Sequence, residues 1–64
     1  MGAIAEVEIA VEILQETDMA YLVSDGAVDC WIPKSQVKDY GTSTDGVIDC
    51  IFIPEWLAME KELI

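Results

Sequence analysis

Sixty-four residues, 53% of them apolar, with a net charge of −10, make one small and strongly acidic domain spanning 1–64. A chain of this length buries only about 60% of the surface that its unfolded form exposes, so it can build one core and no more. Thirteen carboxylates stand against three lysines, with no arginine and no histidine. That balance excludes a surface for nucleic acid or anionic membrane and favours cationic partners, while the apolar content excludes disorder.

Ile4–Leu14 alternates with a period of two: Ala5, Val7, Ile9, Val11 and Ile13 on one face, Glu6, Glu8, Ala10 and Glu12 on the other. This predicts one long half-buried strand with a carboxylate row on its wet side. Glu16-Thr17-Asp18 is a polar turn into the next strand.

Met19–Ile32 predicts a hairpin. Asp25-Gly26 lies between two β-prone runs and signals a two-residue type I′ turn, which sets Val23 opposite Val28, Tyr21 opposite Cys30 and Met19 opposite Ile32. Those pairs form an apolar face; Ser24/Ala27, Leu22/Asp29 and Ala20/Trp31 form a mixed one. On that mixed face Trp31 is either covered by a later helix or serves as a contact patch, since tryptophan is over-represented at binding hot spots.

Pro33 ends the hairpin's second strand, and 33–37 predicts a single helical turn. Lys38 to Gly46 turns to Asp, Gly, Ser and Thr and predicts a mobile surface loop. Val47–Ile53 is apolar on both faces, so it is expected centrally or beneath the helix. Pro54 starts a C-terminal helix with Glu55 in its first turn. Trp56, Leu57, Met59, Leu63 and Ile64 give it an apolar stripe, with Trp56 as the expected anchor. The fold expected is α+β: a small twisted antiparallel sheet of about four strands, an SH3-like or OB-like part-barrel, with one C-terminal helix. The runs Val28–Pro33 and Ile48–Pro54 echo one another as strands ending in proline.

The inventory for chemistry is thin. Without histidine or arginine the usual proton-transfer and oxyanion groups are missing, and no glycine-rich phosphate loop is present. Two cysteines are too few for a zinc site; Cys30 and Cys50 are expected as free thiols at inward strand positions, a disulfide between neighbouring strands being the alternative. No enzyme activity, metal or cofactor is expected. The N-terminus lacks a basic region, no apolar run reaches a membrane-spanning length, and Glu6 stands where myristoylation after Gly2 wants Ser or Thr. The expected location is the host cytosol.

The Glu6/Glu8/Glu12 row is the one surface feature with a repeat distance. Alternate strand residues lie about 6.8 Å apart, comparable with two steps of duplex rise. With Asp29 and Asp49 it presents a negative stripe that reads either as a phosphate-backbone mimic or as a plain solvated face. No lysine alternates with these glutamates, although like charges along a sheet are mildly destabilising.

Through Trp31-Ile32-Pro33-Lys34-Ser35-Gln36-Val37 and the tail Ile53–Ile64, with its PEWLA segment, the chain resembles small bacteriophage and prophage proteins of uncharacterised role. The resemblance implies a compact β protein ending in a helix and carries no catalytic residue. Glu62 stands where many of these proteins have glycine, which implies a helix running on to the end. In size and acidity the chain is also similar to DNA-mimicking anti-CRISPR proteins, a likeness of composition. The expected function is therefore a phage-type inhibitor that blocks the basic, nucleic-acid-binding groove of a host defence complex, such as a CRISPR surveillance complex. The expected contacts are Glu6, Glu8, Glu12, Asp29, Asp49 and Trp31, with no direct nucleic-acid contact. The alternative is a non-catalytic accessory module, a monomer or a weak homodimer joined through Trp31 and Leu22 or a strand edge.

Overall fold

The computed structural model describes residues 5–64. Ile4, at the start of the expected first strand, lies outside them. The chain is a small α+β fold of two three-stranded antiparallel sheets and one short C-terminal helix. In order come β1 (Glu6–Ala10), β2 (Glu12–Glu16), β3 (Ala20–Ser24), β4 (Asp29–Pro33), a 3₁₀ turn (Lys34–Gln36), β5 (Asp39–Thr42), β6 (Ile48–Pro54) and α1 (Glu55–Glu60). One sheet has the order β1-β6-β5 and the other β2-β3-β4.

The expected long first strand is divided between the sheets. β1 pairs with β6 and β2 pairs with β3, and the chain passes from one sheet to the other at Val11. The Val11 N–H donates to the Asp49 carbonyl at 3.1 Å, and its side chain is buried. Alternation survives the corner: Ile9 and Val11 are buried and Val7 and Ile13 pack against the core, while Glu6, Glu8, Ala10 and Glu12 remain outside. A strand that bends between two packed sheets keeps one face to the shared core, so the period of two carries no mark of the corner.

The hairpin forms, one residue further along than the Asp25-Gly26 turn predicts. Asp25 faces Val28 through its N–H to the Val28 carbonyl at 3.2 Å, and the reversal lies at Gly26-Ala27, with Gly26 at φ +98°. The Asp25 carboxylate causes the shift. Its Oδ1 accepts from the Ala27 and Val28 amides at 2.9 and 2.8 Å, as an Asx turn does. Pairing becomes Val23 with Cys30, Leu22 with Trp31 and Tyr21 with Ile32. Because the register moves by two, every residue keeps its expected face. Only the ends of the ladder change: Val28 enters the loop and Met19 drops out, 77% exposed.

The segment expected as a loop contains β5, which pairs with β6 from Asp39 to Thr42; a tight turn at Ser43–Gly46 follows. β5 is an edge strand with no apolar alternation to betray it, since Asp39, Tyr40 and Thr42 are all exposed. β6 is central, as expected, and its Ile51 and Ile53 are fully buried.

The helix is shorter than expected and docks on a different face. Leu57, Ala58 and the trailing Leu63 are buried, whereas Trp56, Met59 and Ile64 are exposed. Glu62 does not extend the helix but ends it, at φ +62°. Its N–H donates to Met59 and that of Leu63 to Ala58, the paired bonds of a Schellman cap, which swings Leu63 back into the core. At the other end the Glu55 N–H donates to the Ala5 carbonyl at 2.8 Å. The helix packs against the core built by Ile9, Val11, Val23, Ile32, Ile51 and Ile53 through Leu57 and Ala58.

Candidate functional site

All six residues expected to meet a partner are exposed, and the topology arranges the five acidic ones as a band. Glu6 and Glu8 project from the wet side of β1. Past the corner, Glu12 and Asp29 are both level with Ser24, on β2 and β4, so the second sheet carries them on one face in one line. Two strand spacings separate them, about 9.5 Å. Asp49 sits at the irregularity of β6 where pairing steps from Gly41–Cys50 to Thr42–Ile48. The extra residue of a bulge re-aims side chains, and it brings Asp49 beside Cys50.

Glu8 reaches Cys50 from the other side. Burial pushes the Cys50 thiol up, and the hydrogen-bonded Glu8 carboxylate and the charge of Asp49 raise it further. Cys50 is thus a protonated, half-exposed thiol on the outer side of its sheet, which corrects the expected inward position. Cys30 does pack against the core, and burial raises its thiol as well. Both cysteines are free.

Lys38 stands immediately before β5, across β6 from Glu6 and Glu8, its N–H donating to the Phe52 carbonyl at 2.8 Å. Among the described residues the ion pair is Lys34 Nζ to Glu16 Oε2 at 2.5 Å, with the ammonium 4.9 Å from the centre of the Tyr21 ring. The Glu16 hydrogen bond holds Lys34 charged to higher pH than an ordinary lysine. Among the described residues Glu6, Glu8, Glu12, Asp29 and Asp49 have no such counterpart.

A second feature escaped the sequence. Trp31 is not covered by the helix; it stands 42% exposed and Trp56 52% exposed, and both line one cleft of about 720 Å³. The cleft lies between the open end of the β3–β4 hairpin with its 3₁₀ turn and the helix, with Met19, Pro33 and Leu57 adding apolar wall. The signal that could have found it is the echo of two strands ending in proline. Each proline, Pro33 and Pro54, turns its strand into a helical segment, and both segments arrive at the same end of the core. Residues 31–36 and the helix from Trp56 onward therefore contribute walls to this one cleft.

Among the described residues no cluster of three or more potential ligands could hold a metal ion, and no helix is long and apolar enough to cross a membrane. No protein-family model, no curated protein and no solved structure matches this chain.

Proposed function

We propose that the protein is a non-enzymatic, phage-type inhibitor that seats its acidic band in the basic, nucleic-acid-binding groove of a host defence complex in the cytosol, as a DNA-mimicking anti-CRISPR protein does. The observation that carries this reading is segregation of charge. Glu6, Glu8, Glu12, Asp29 and Asp49 have no ion-pair partner among the described residues, while Lys34 is spent on Glu16, Lys61 lies at the helix end and Lys38 stands immediately before the edge strand β5. A sequence selected for stability alone mixes its signs along a sheet. The mechanism is electrostatic and steric, with carboxylates taking the places of phosphates against partner lysines and arginines. The finer architecture belongs to the same proposal. A strand shared by two sheets and a 3₁₀ turn connecting them favour an SH3-like over an OB-like part-barrel.

The test is capture of partners from nuclease-treated host lysate at low and high salt, with the parent chain and a Glu6→Gln/Glu8→Gln/Glu12→Gln variant. The expected result is a nucleic-acid-handling complex, released by salt or added DNA and held weakly by the variant, because exposed charges are screened over about 8–10 Å. Undiminished capture by the variant refutes the role of the band.

The exposure of Trp31 favours a second reading, a non-catalytic accessory module that binds through its aromatic end. A self-associating form of it requires a dimer in sedimentation that a Trp31→Ser variant abolishes.

A further inference from the structure

The cleft between Trp31 and Trp56 leaves much apolar surface open for so small and charged a chain. Met19, 77% exposed, extends it. It is an open groove of about 720 Å³, large enough to seat a few side chains of a partner. Charge decides what fits. The lining itself carries Asp18 and Glu60 against Lys34 and Lys61, and the Glu16 paired with Lys34 leaves an excess of one carboxylate there, within the field of a molecule of net charge −10. Anionic ligands and nucleic acid are repelled, and a second copy brings ten further negative charges. An apolar occupant that also carries positive charge is attracted.

We propose that this cleft docks an extended segment of a basic protein, with an arginine side chain stacked on the indoles of Trp31 and Trp56 and drawn by the Asp18 and Glu60 carboxylates. Arginine suits the site better than lysine because its flat, weakly hydrated guanidinium stacks on aromatic faces while keeping its charge. The proposal rests on the preceding reading only for the sign of the partner's charge. It assigns the partner a second point of attachment, at the end of the molecule where the helix packs.

The chain's two tryptophans both line the cleft, so intrinsic fluorescence reports on it without a label. The probe is a blocked peptide, acetyl-Leu-Arg-Pro-Leu-Arg-amide, titrated into the full chain beside its counterpart with glutamate in place of arginine. The expected result is a saturable fluorescence change with the arginine peptide and none with the glutamate peptide. Trp56→Ala, with Trp31 as remaining reporter, weakens binding by roughly tenfold or more, as loss of a hot-spot aromatic does. Asp18→Asn/Glu60→Gln weakens it as well, whereas Glu6→Gln/Glu8→Gln/Glu12→Gln, none of whose carboxylates lines the cleft, weakens it less than Trp56→Ala does. Circular dichroism of each variant separates lost binding from lost fold. The proposal is overturned by absence of saturation, by equal binding of the glutamate peptide, or by equal losses in the glutamine triple variant and Trp56→Ala. A fluorescence change that follows protein concentration alone, with a dimer in sedimentation, also overturns it, since a second copy is then the occupant. If the triple variant loses lysate capture but keeps the peptide, band and cleft act independently; if it loses lysate capture and the arginine peptide never saturates the parent chain, the cleft is removed and the band is left.

Discussion

The thiol of Cys50 occupies the space where a β-carbon on Gly41 would stand: such a carbon would lie 2.7 Å from Sγ, closer than real contacts allow. Gly41 and Cys50 are cross-strand partners, so the glycine is there to admit the sulfur and needs no unusual φ. Gly41→Ala is expected to destabilise by about 1–3 kcal/mol through overpacking. In a Cys50→Ala background the same change is expected to cost much less, with a coupling of about 1 kcal/mol or more. Urea unfolding of the four proteins measures it; strict additivity refutes the contact.

Glu62 holds the left-handed cap position of the helix, which glycine fills without steric cost. Glu62→Gly is expected to stabilise by about 0.5–1 kcal/mol, since the native conformation no longer crowds a β-carbon. For a domain of this size that corresponds to a rise of a few degrees in Tm, roughly 4–8 °C per kcal/mol. A fall in Tm refutes the cap assignment.

The tail separates burial from size. Leu57 is 3% exposed, and Leu57→Ala is expected to cost about 2–5 kcal/mol, much of the stability of a domain this small. Trp56→Ala is expected to cost under about 1 kcal/mol, as a change of an outward side chain does. Leu57→Val provides a measurable point if the alanine variant does not fold. The reverse ranking in urea unfolding would restore Trp56 as the anchor of the helix.

Asp25 supplies a pH dependence of known sign. Hydrogen bonds from the Ala27 amide first, then Val28, hold its carboxyl below the ordinary 3.8. A depressed folded value stabilises above the unfolded pKa, and the contribution is lost as pH falls through the folded one. Other carboxylates, repelling one another, act in the opposite direction, so the useful quantity is a difference. Parent minus Asp25→Asn stability is expected to be flat near neutrality and to fall below pH 4. A difference independent of pH refutes the role of the ionised carboxylate in the turn.

Much of this architecture was legible because strand alternation is local. Inward and outward positions along 6–13 and on both hairpin strands follow from a period of two, and they survived both the corner at Val11 and the two-residue change of register; Ala5, expected inward, is exposed. Pro54 marked the helix start for an equally local reason, its fixed φ and missing N–H. The exposed glutamates of the band were legible for the same cause. What the chain alone did not reveal depends on partners distant in sequence. β5 exists because β6 needs a neighbour, and its own residues bury too little to announce it. The helix buries Leu57 and Ala58 in the cluster that holds Ile51 and Ile53 and leaves Trp56 outside, and the Schellman turn then brings Leu63 to join them. The meeting of Trp31 with Trp56 is of the same kind. Twenty-five residues apart, they line one cleft only because both proline-ended strands deliver their helical turns to the same end of the core. Local periodicity determined which side of each strand is buried, and closure of the two sheets around a shared core decided which surfaces meet.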